Sequence, residues 1–233
     1  MIFITQPTYL PWIGYFSFLN KASEIVFLDD VQFSKRSWQQ RNRILSNDKS
    51  KYLTIPVISK GKREQMIKDV KIFEKNFFRN HLMIIEHNYK KTKYFKEYFE
   101  LLKSLKSQIE NLEFLSEINI LLIKEICMIL NIKVKFSKSS SLNIQKKRSH
   151  KIVEICNLKL KKQLLSNEGT INYINHDKKI FEENDINVNF FKYDTIQYNQ
   201  ASKIFIKELS ILDLIFNEGP NSINIIKKGL KKI

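Results

Sequence analysis

Apolar and polar positions follow two rhythms along this chain. Ile2 to Thr5 is a short apolar run with strand character, closed by the turn Gln6-Pro7-Thr8-Tyr9-Leu10-Pro11. A Trp12-Ile13-Gly14-Tyr15 corner then opens a helix that reaches about Ala22, and a second apolar run, Ile25 to Leu28, ends in Asp29-Asp30. Tyr52 to Val57 alternates as a strand does, and Met66 to Phe73 reads as a short strand on an ambiguous pattern of Ile67, Val70 and Ile72. From Phe73 to Leu130 the period lengthens to that of helices. Asn76 to Asn88, Lys93 to Ile109 (with Thr92 as amino-terminal cap) and Leu112 to Leu130 each carry apolar side chains at helical spacing. The first rhythm then returns. Strands are predicted at Ile132 to Phe136, Gln163 to Leu165 and Val188 to Tyr193. Helices are predicted at His150 to Asn157 (capped by Ser149), from Thr170 to Ile174, at Leu209 to Phe216 and over 221–228. Strands alternating with helices at both ends predict an α/β fold with a Rossmann-like parallel sheet. The expected organisation is one domain over 1–233, with residues 73–130 as a helical insertion within it.

Composition changes this picture little. Hydrophobic residues make up 43% of the chain and charged residues 27%, an ordinary globular balance. The two cysteines, Cys127 and Cys156, lie inside apolar helical patterns. The histidines form no ligand cluster, so no metal site is expected. Met1 leads directly into the first strand without a signal-type apolar segment, and the apolar region Ile118 to Ile132 is broken by Lys124 and Glu125. A cytoplasmic protein without a membrane span is the expectation. The formal net charge of +16 has two readings: an anionic partner such as nucleic acid or a phosphorylated substrate, or lysines that merely coat the surface.

Candidate chemistry concentrates between Gln6 and Arg43. Ligands of open α/β sheets bind at the carboxyl ends of strands. A strand, a Pro-containing turn and Gly14 at the start of a helix are the parts of a nucleotide-binding βα unit, with free N–H groups offered to phosphate and Gly14 permitting close approach. This corner resembles the HxGH region of the nucleotidylyltransferase and pantothenate-synthetase superfamily. The histidine positions are Trp12 and Tyr15 here, which puts adenylyl transfer of the usual kind in doubt. Asp30 is a candidate general base. Lys35, Arg36, Arg41 and Arg43 supply cations for phosphate. Trp38 offers a stacking face, while Gln32, Gln39, Gln40 and Asn42 add neutral donors. Ser166 and Gly169, between a short strand and a helix, form a second phosphate or carboxylate seat. Asp213 caps or pairs within its helix.

Gln6-Pro7-x-Tyr9-x-Pro11-x-Ile13-Gly14-Tyr15-Phe16, Asp29-Asp30-Val31-Gln32-Phe33, Lys35-Arg36-x-Trp38 and Arg41-Asn42-Arg43 closely resemble the WbqC-like family. So do Asn88-Tyr89, Tyr94-Phe95, the segment Lys151 to Cys156, and Leu209 to Phe216 followed by Asn217-x-Gly219-Pro220, in the same order over nearly the whole chain. Asn167-Glu168-Gly169 departs from the Leu-Ser-Gly style of the family. The resemblance implies a role in bacterial surface polysaccharide, notably O-antigen, and in unusual amino sugars. It points to a transferase that places an acyl or aminoacyl group on the amine of a nucleotide-linked sugar, with tRNA as one source of an aminoacyl donor. In that reading Gln6, Gly14, Arg36, Arg41 and Arg43 hold the nucleotide-sugar, Trp38, Tyr9 or Tyr15 stack on base or sugar, Asp30 takes the amine proton and Lys35 steadies the oxyanion. No cofactor is certain. An ATP-using nucleotidyltransferase-like ligase and a non-catalytic nucleotide-sugar or RNA-binding protein are the alternatives.

Overall fold

The computed structural model describes residues 1–233. In chain order the elements are β1 (Ile2–Thr5), α1 (Ile13–Lys21), β2 (Glu24–Phe27), β3 (Arg41–Ser46), β4 (Lys49–Thr54), α2 (Phe77–Tyr89), α3 (Phe95–Ser104), α4 (Lys106–Asn111) and α5 (Leu115–Ile129). They continue with β5 (Lys135–Lys138), α6 (Arg148–Leu158), β6 (Gln163–Asn167), α7 (Ile171–His176), α8 (Lys178–Glu182), β7 (Asn187–Tyr193), α9 (Ile211–Glu218), α10 (Ser222–Lys228) and β8 (Leu230–Lys232).

Six strands form one sheet in the order β5-β2-β1-β6-β7-β8. All neighbours are parallel except β8, which closes the edge antiparallel to β7. The chain moves outward from β1 through β2 to β5, returns to the other side of β1 as β6, and moves outward again. This is the doubly wound, Rossmann-like arrangement, and its strand order reverses between β1 and β6. The two faces are covered unequally. A cluster of 49 buried residues joins Phe3 and Phe27 to α1, α2, α3, α5, α9 and α10. A second cluster of 9 packs Ile2, Val26 and Leu164 against α6, α7 and α8. The thick side therefore includes the helices of residues 73–130, whose Phe78, Ile85, Leu122 and Ile126 share one apolar cluster with the sheet.

Local details differ from the sequence reading for identifiable reasons. Arg41 to Arg43 is not loop but the start of β3, paired antiparallel with β4. The connecting residues Asn47 and Asp48 both have positive φ, 51° and 56°, as a two-residue primed hairpin turn requires. Met66 to Phe73 holds a short 3-10 turn at Ile67–Asp69 with isolated bridges to Gln32, Val57 and Phe114. The strand predicted from Ile132 begins at Lys135, set by pairing with β2. Ser149 does not cap α6; Lys147 occupies that position, and the Ser149 hydroxyl donates to Asp177 at 2.5 Å. Thr92 closes α2, donating to the Tyr89 carbonyl at 2.8 Å, and α3 starts after Tyr94.

The turn after β1 is anchored to α2 through a buried histidine. His81 is 6% exposed, its Nδ1 is 2.8 Å from the Tyr9 hydroxyl, and its ring lies between Tyr9 and Phe77. Burial disfavours the imidazolium and pulls its pKa down to about 4. The unfolded value is about 6.5. The folded state therefore binds fewer protons, so this stabilisation is complete above pH ~6.5 and is lost as pH falls toward 4. At about 1.36 kcal/mol per pKa unit it amounts to roughly 3 kcal/mol at most. Urea midpoints are expected to fall more steeply between pH 7 and pH 4 in the wild type than in His81→Gln; parallel profiles would assign the acid sensitivity elsewhere.

Candidate functional site

The switch point places the carboxyl ends of β1 and β6 side by side, and a cavity of about 500 Å³ opens there. Thr5, Gln6, Thr8, Trp12 and Tyr15 line it from the β1–α1 corner, and Asn167 and Thr170 from the end of β6. Trp38, Asn42 and Arg43 line it from the hairpin side, and Glu208 from the segment before α9. A smaller cavity of about 210 Å³ shares Ile4, Leu28 and Thr170 with the first and extends the cleft toward Arg148, Lys151 and Tyr173. Open doubly wound sheets bind ligands in this crevice, because only there do the loops from the two halves diverge.

The walls are held by buried amides. Asn42 Nδ2 donates to the Tyr9 and Leu10 carbonyls at 3.1 and 2.8 Å. Asn119, fully buried on α5, donates to the Pro7 and Gln39 carbonyls at 3.1 and 2.8 Å. Gln39 Nε2 donates to Gln6 Oε1 at 2.8 Å while its carbonyl accepts from Ser34 N. Gln40 clasps Arg36 N and the Ile55 carbonyl. Gln39 and Asn42 thus fasten the 34–42 segment to the β1–α1 turn, Gln40 ties it to the residue after β4, and none of the three amides is a free donor for a ligand. The clamp also fixes Leu10, fully buried at φ 40° and followed by Pro11, a conformation that the surrounding hydrogen bonds must impose.

Tyr9 is fully buried, so its ring is scaffold and offers no stacking face. Tyr15 is 8% exposed, lines the cavity, and donates to the Gln6 carbonyl at 3.1 Å. Gly14 serves a different close approach from the one the sequence implied. A Cβ there would lie 2.3 Å from the Trp12 indole, which packs onto the glycine, so the space left by the missing side chain is taken up by Trp12. Gln32 donates to the Arg63 carbonyl at 2.9 Å, and Lys35 and Arg36 stand exposed on the turn; none of the three lines the cavity. Arg41 stacks its guanidinium 4.2 Å from the Tyr52 centroid, outside the cavity. Ser166 and Thr170 share a 2.7 Å hydroxyl contact, while Gly169 is exposed and off the lining.

Arg43 is the cation that faces the cavity. Its guanidinium lies 5.6 Å from the Trp38 ring centroid and pairs with Glu208 at 3.1 Å, while its buried Nε has no partner. Glu208 is positioned by a strap from Asp194 to Leu209. Tyr198 and Gln200 of the strap donate to Asp213 Oδ2 at 2.5 and 2.6 Å. Asp213 is fully buried on α9, and burial pushes its carboxyl pKa up. It anchors the strap and does not cap its helix; Ser210 does that.

Asp29 and Asp30 lie just beyond β2, where the alternation of side chains along a strand no longer holds. Both turn toward the end of β5. Asp29 accepts from Ser140 N at 3.0 Å and Ser140 Oγ at 2.6 Å. Asp30 accepts from Ser139 Oγ and pairs with Lys151 Nζ at 2.6 Å. Their side chains are 12% and 7% exposed, and Lys151 lines the smaller cavity. Glu208 and Thr170 escaped the sequence reading as site residues, since nothing local marks them; Asn167 falls within the seat read between Ser166 and Gly169, and Lys151 stands out only as part of the resemblance. The hairpin was detectable: Asn47-Asp48 sits between the apolar pairs Ile44-Leu45 and Tyr52-Leu53. Both cysteines are buried, with thiols pushed up to about 12 by burial, so neither is an activated nucleophile.

The model of the WbqC-like protein family matches residues 6–225. The chain belongs to that family. A protein of Mycobacterium tuberculosis (strain ATCC 25618 / H37Rv), described as uncharacterized protein Rv1507c, is 31% identical over 219 residues, 93% of each chain. No solved structure matches. The WbqC-like family is associated with polysaccharide biosynthesis, and the matched region includes every residue lining the larger cavity except Ile4 and Thr5. No helix is long and apolar enough to cross a membrane, and no group of three His, Cys, Asp or Glu residues is placed to hold a metal ion.

Proposed function

We propose that this protein is a cytoplasmic transferase of surface-polysaccharide (O-antigen) synthesis, moving an acyl or aminoacyl group onto the amine of a nucleotide-linked sugar. The observation that carries the reading is the switch-point cavity with Trp38 and Arg43 on one wall and the hydroxyls and amides of Thr5, Gln6, Thr8, Asn167 and Thr170 on the others. A diphosphate meets Arg43, a base or sugar ring stacks on Trp38, and the polar walls hold sugar hydroxyls. The sugar end points toward the smaller cavity. There the amine lone pair attacks the acyl carbonyl of an ester or thioester donor, the bond to the leaving oxygen or sulfur breaks, and Asp30 takes the amine proton and passes it to that leaving atom, which departs as alcohol or thiol. Lys151 balances the charge of Asp30; Lys35, on the outer turn, has no part. A nucleotidyltransferase-like ligase has less support, because Trp12 and Tyr15 stand at the two positions where that chemistry uses histidines.

Titration calorimetry with a uridine- or thymidine-diphosphate amino sugar checks the binding step. Arg43→Ala is expected to weaken affinity about tenfold or more, the scale of one charge-assisted contact to phosphate. Glu208→Gln, which frees Arg43 from its partner, is expected to strengthen it. Wild-type affinity retained in Arg43→Ala would move the diphosphate out of this cavity.

A further inference from the structure

We propose that the outer face of the β3–β4 hairpin docks the single-stranded end of an RNA. Four planar groups stand there in a row. The Arg41 guanidinium lies 4.2 Å from the Tyr52 ring centroid, Tyr52 and Trp38 are 6.3 Å apart at 34°, and Arg43 lies 5.6 Å from Trp38. Both rings face solvent, Trp38 at 48% and Tyr52 at 45% exposure. Exposed aromatic rings flanked by guanidinium planes offer stacking faces that any nucleobase fits, whatever its sequence.

Most of the charge around the row has no ion-pair partner within the protein. Residues 35–51 carry six cations, Lys35, Arg36, Arg41, Arg43, Lys49 and Lys51, against the single acid Asp48. Of these six only Arg43 makes an ion pair. The carboxylate of Asp48 faces Ser202 and Lys203 N. Such an uncompensated patch attracts a phosphate backbone, and the aromatic row distinguishes nucleic acid from other polyanions. It also selects single strands, since the bases of a duplex are stacked on one another and closed to side chains.

The row ends where the cavity begins, because Trp38 and Arg43 line both. A strand lying along the hairpin would bring its terminus to the mouth of the cleft. Taken with the proposed function, on which this step alone rests, the acyl donor is an ester on an RNA end.

Fluorescence anisotropy with a labelled single-stranded RNA of about eight nucleotides, within the span of one binding groove, tests the surface. The strand is expected to bind at least about tenfold tighter than a blunt duplex of equal length, and to weaken steeply between about 50 and 200 mM salt. Tyr52→Ala and Arg41→Gln, both outside the cavity, are expected to weaken the strand about tenfold and leave nucleotide-sugar affinity unchanged. Equal binding of strand and duplex, full binding by Tyr52→Ala, or no binding at low salt would each overturn the inference. Because nucleotide-sugar affinity is read separately, failure here is distinct from failure of the cavity reading.

Discussion

Lys151→Ala is expected to lower the free energy of unfolding by about 3–5 kcal/mol, the usual cost of removing one partner from a buried ion pair. Nζ stands 2.6 Å from Asp30 Oδ2, with the two side chains 7% and 12% exposed, so water replaces little of what is lost. Asp30 would keep the Ser139 hydroxyl but hold an uncompensated charge at the carboxyl end of the sheet. Adding Asp30→Asn to Lys151→Ala removes that charge and is expected to restore a large part of the loss, so the two effects are not additive. Urea unfolding of the two single variants and the double variant measures this directly. Additive losses would mean that the pair is screened by solvent. The same cycle protects the functional reading. Asp30→Asn alone confounds chemistry with folding, whereas Asp30→Asn with Lys151→Met removes both charges together. If that variant is stable, binds nucleotide-sugar and still turns over at the wild-type rate, Asp30 takes no proton.

Gly14→Ala is the second large effect, and it acts on the site. Alanine in a helix ordinarily stabilises by roughly 0.8–1 kcal/mol over glycine. Here the added methyl would lie 2.3 Å from the Trp12 indole, a distance no real contact sustains. Trp12 must leave its place over α1, where it meets Tyr193 edge-on with centroids 5.6 Å apart, and it lines the cavity. Overpacking of this kind costs about 1–3 kcal/mol, which exceeds the helical gain. A net loss of stability is expected, with nucleotide-sugar affinity reduced because the displaced indole reshapes the wall. Calorimetry and a thermal melt on one variant read both. A more stable variant with unchanged affinity would show that the indole shifts freely.

The apolar runs Ile2–Thr5 and Ile25–Leu28, the helical stripes of 73–130 and the strand at Val188–Tyr193 announce themselves because a buried face must repeat at the period of its own element. The concentration of Arg, Trp and amide side chains in the opening stretch was likewise legible. The roles of those side chains were not. Asn42 and Gln39 look like ligand donors in sequence, yet their amide N–H groups are consumed by the Tyr9 and Leu10 carbonyls and the Gln6 amide oxygen, 32 or 33 residues away. Gly14 reads as room for phosphate and serves as room for Trp12. Arg41 and Arg43 read as one cationic loop, but the strand they begin separates their surroundings, one stacked on Tyr52 and one facing the cavity.

The sequence by itself determined the alternation of strand and helix, and with it the parallel sheet and the end of that sheet where a ligand belongs. Periodicity and strand polarity are local properties, so the chain carries them wherever it is cut. Only the tertiary structure decided that β6 returns beside β1, that Glu208 reaches Arg43 across 165 positions, and that Lys151 neutralises Asp30. Those pairings arise between side chains far apart in the chain, and nothing in the spacing of either partner specifies the other.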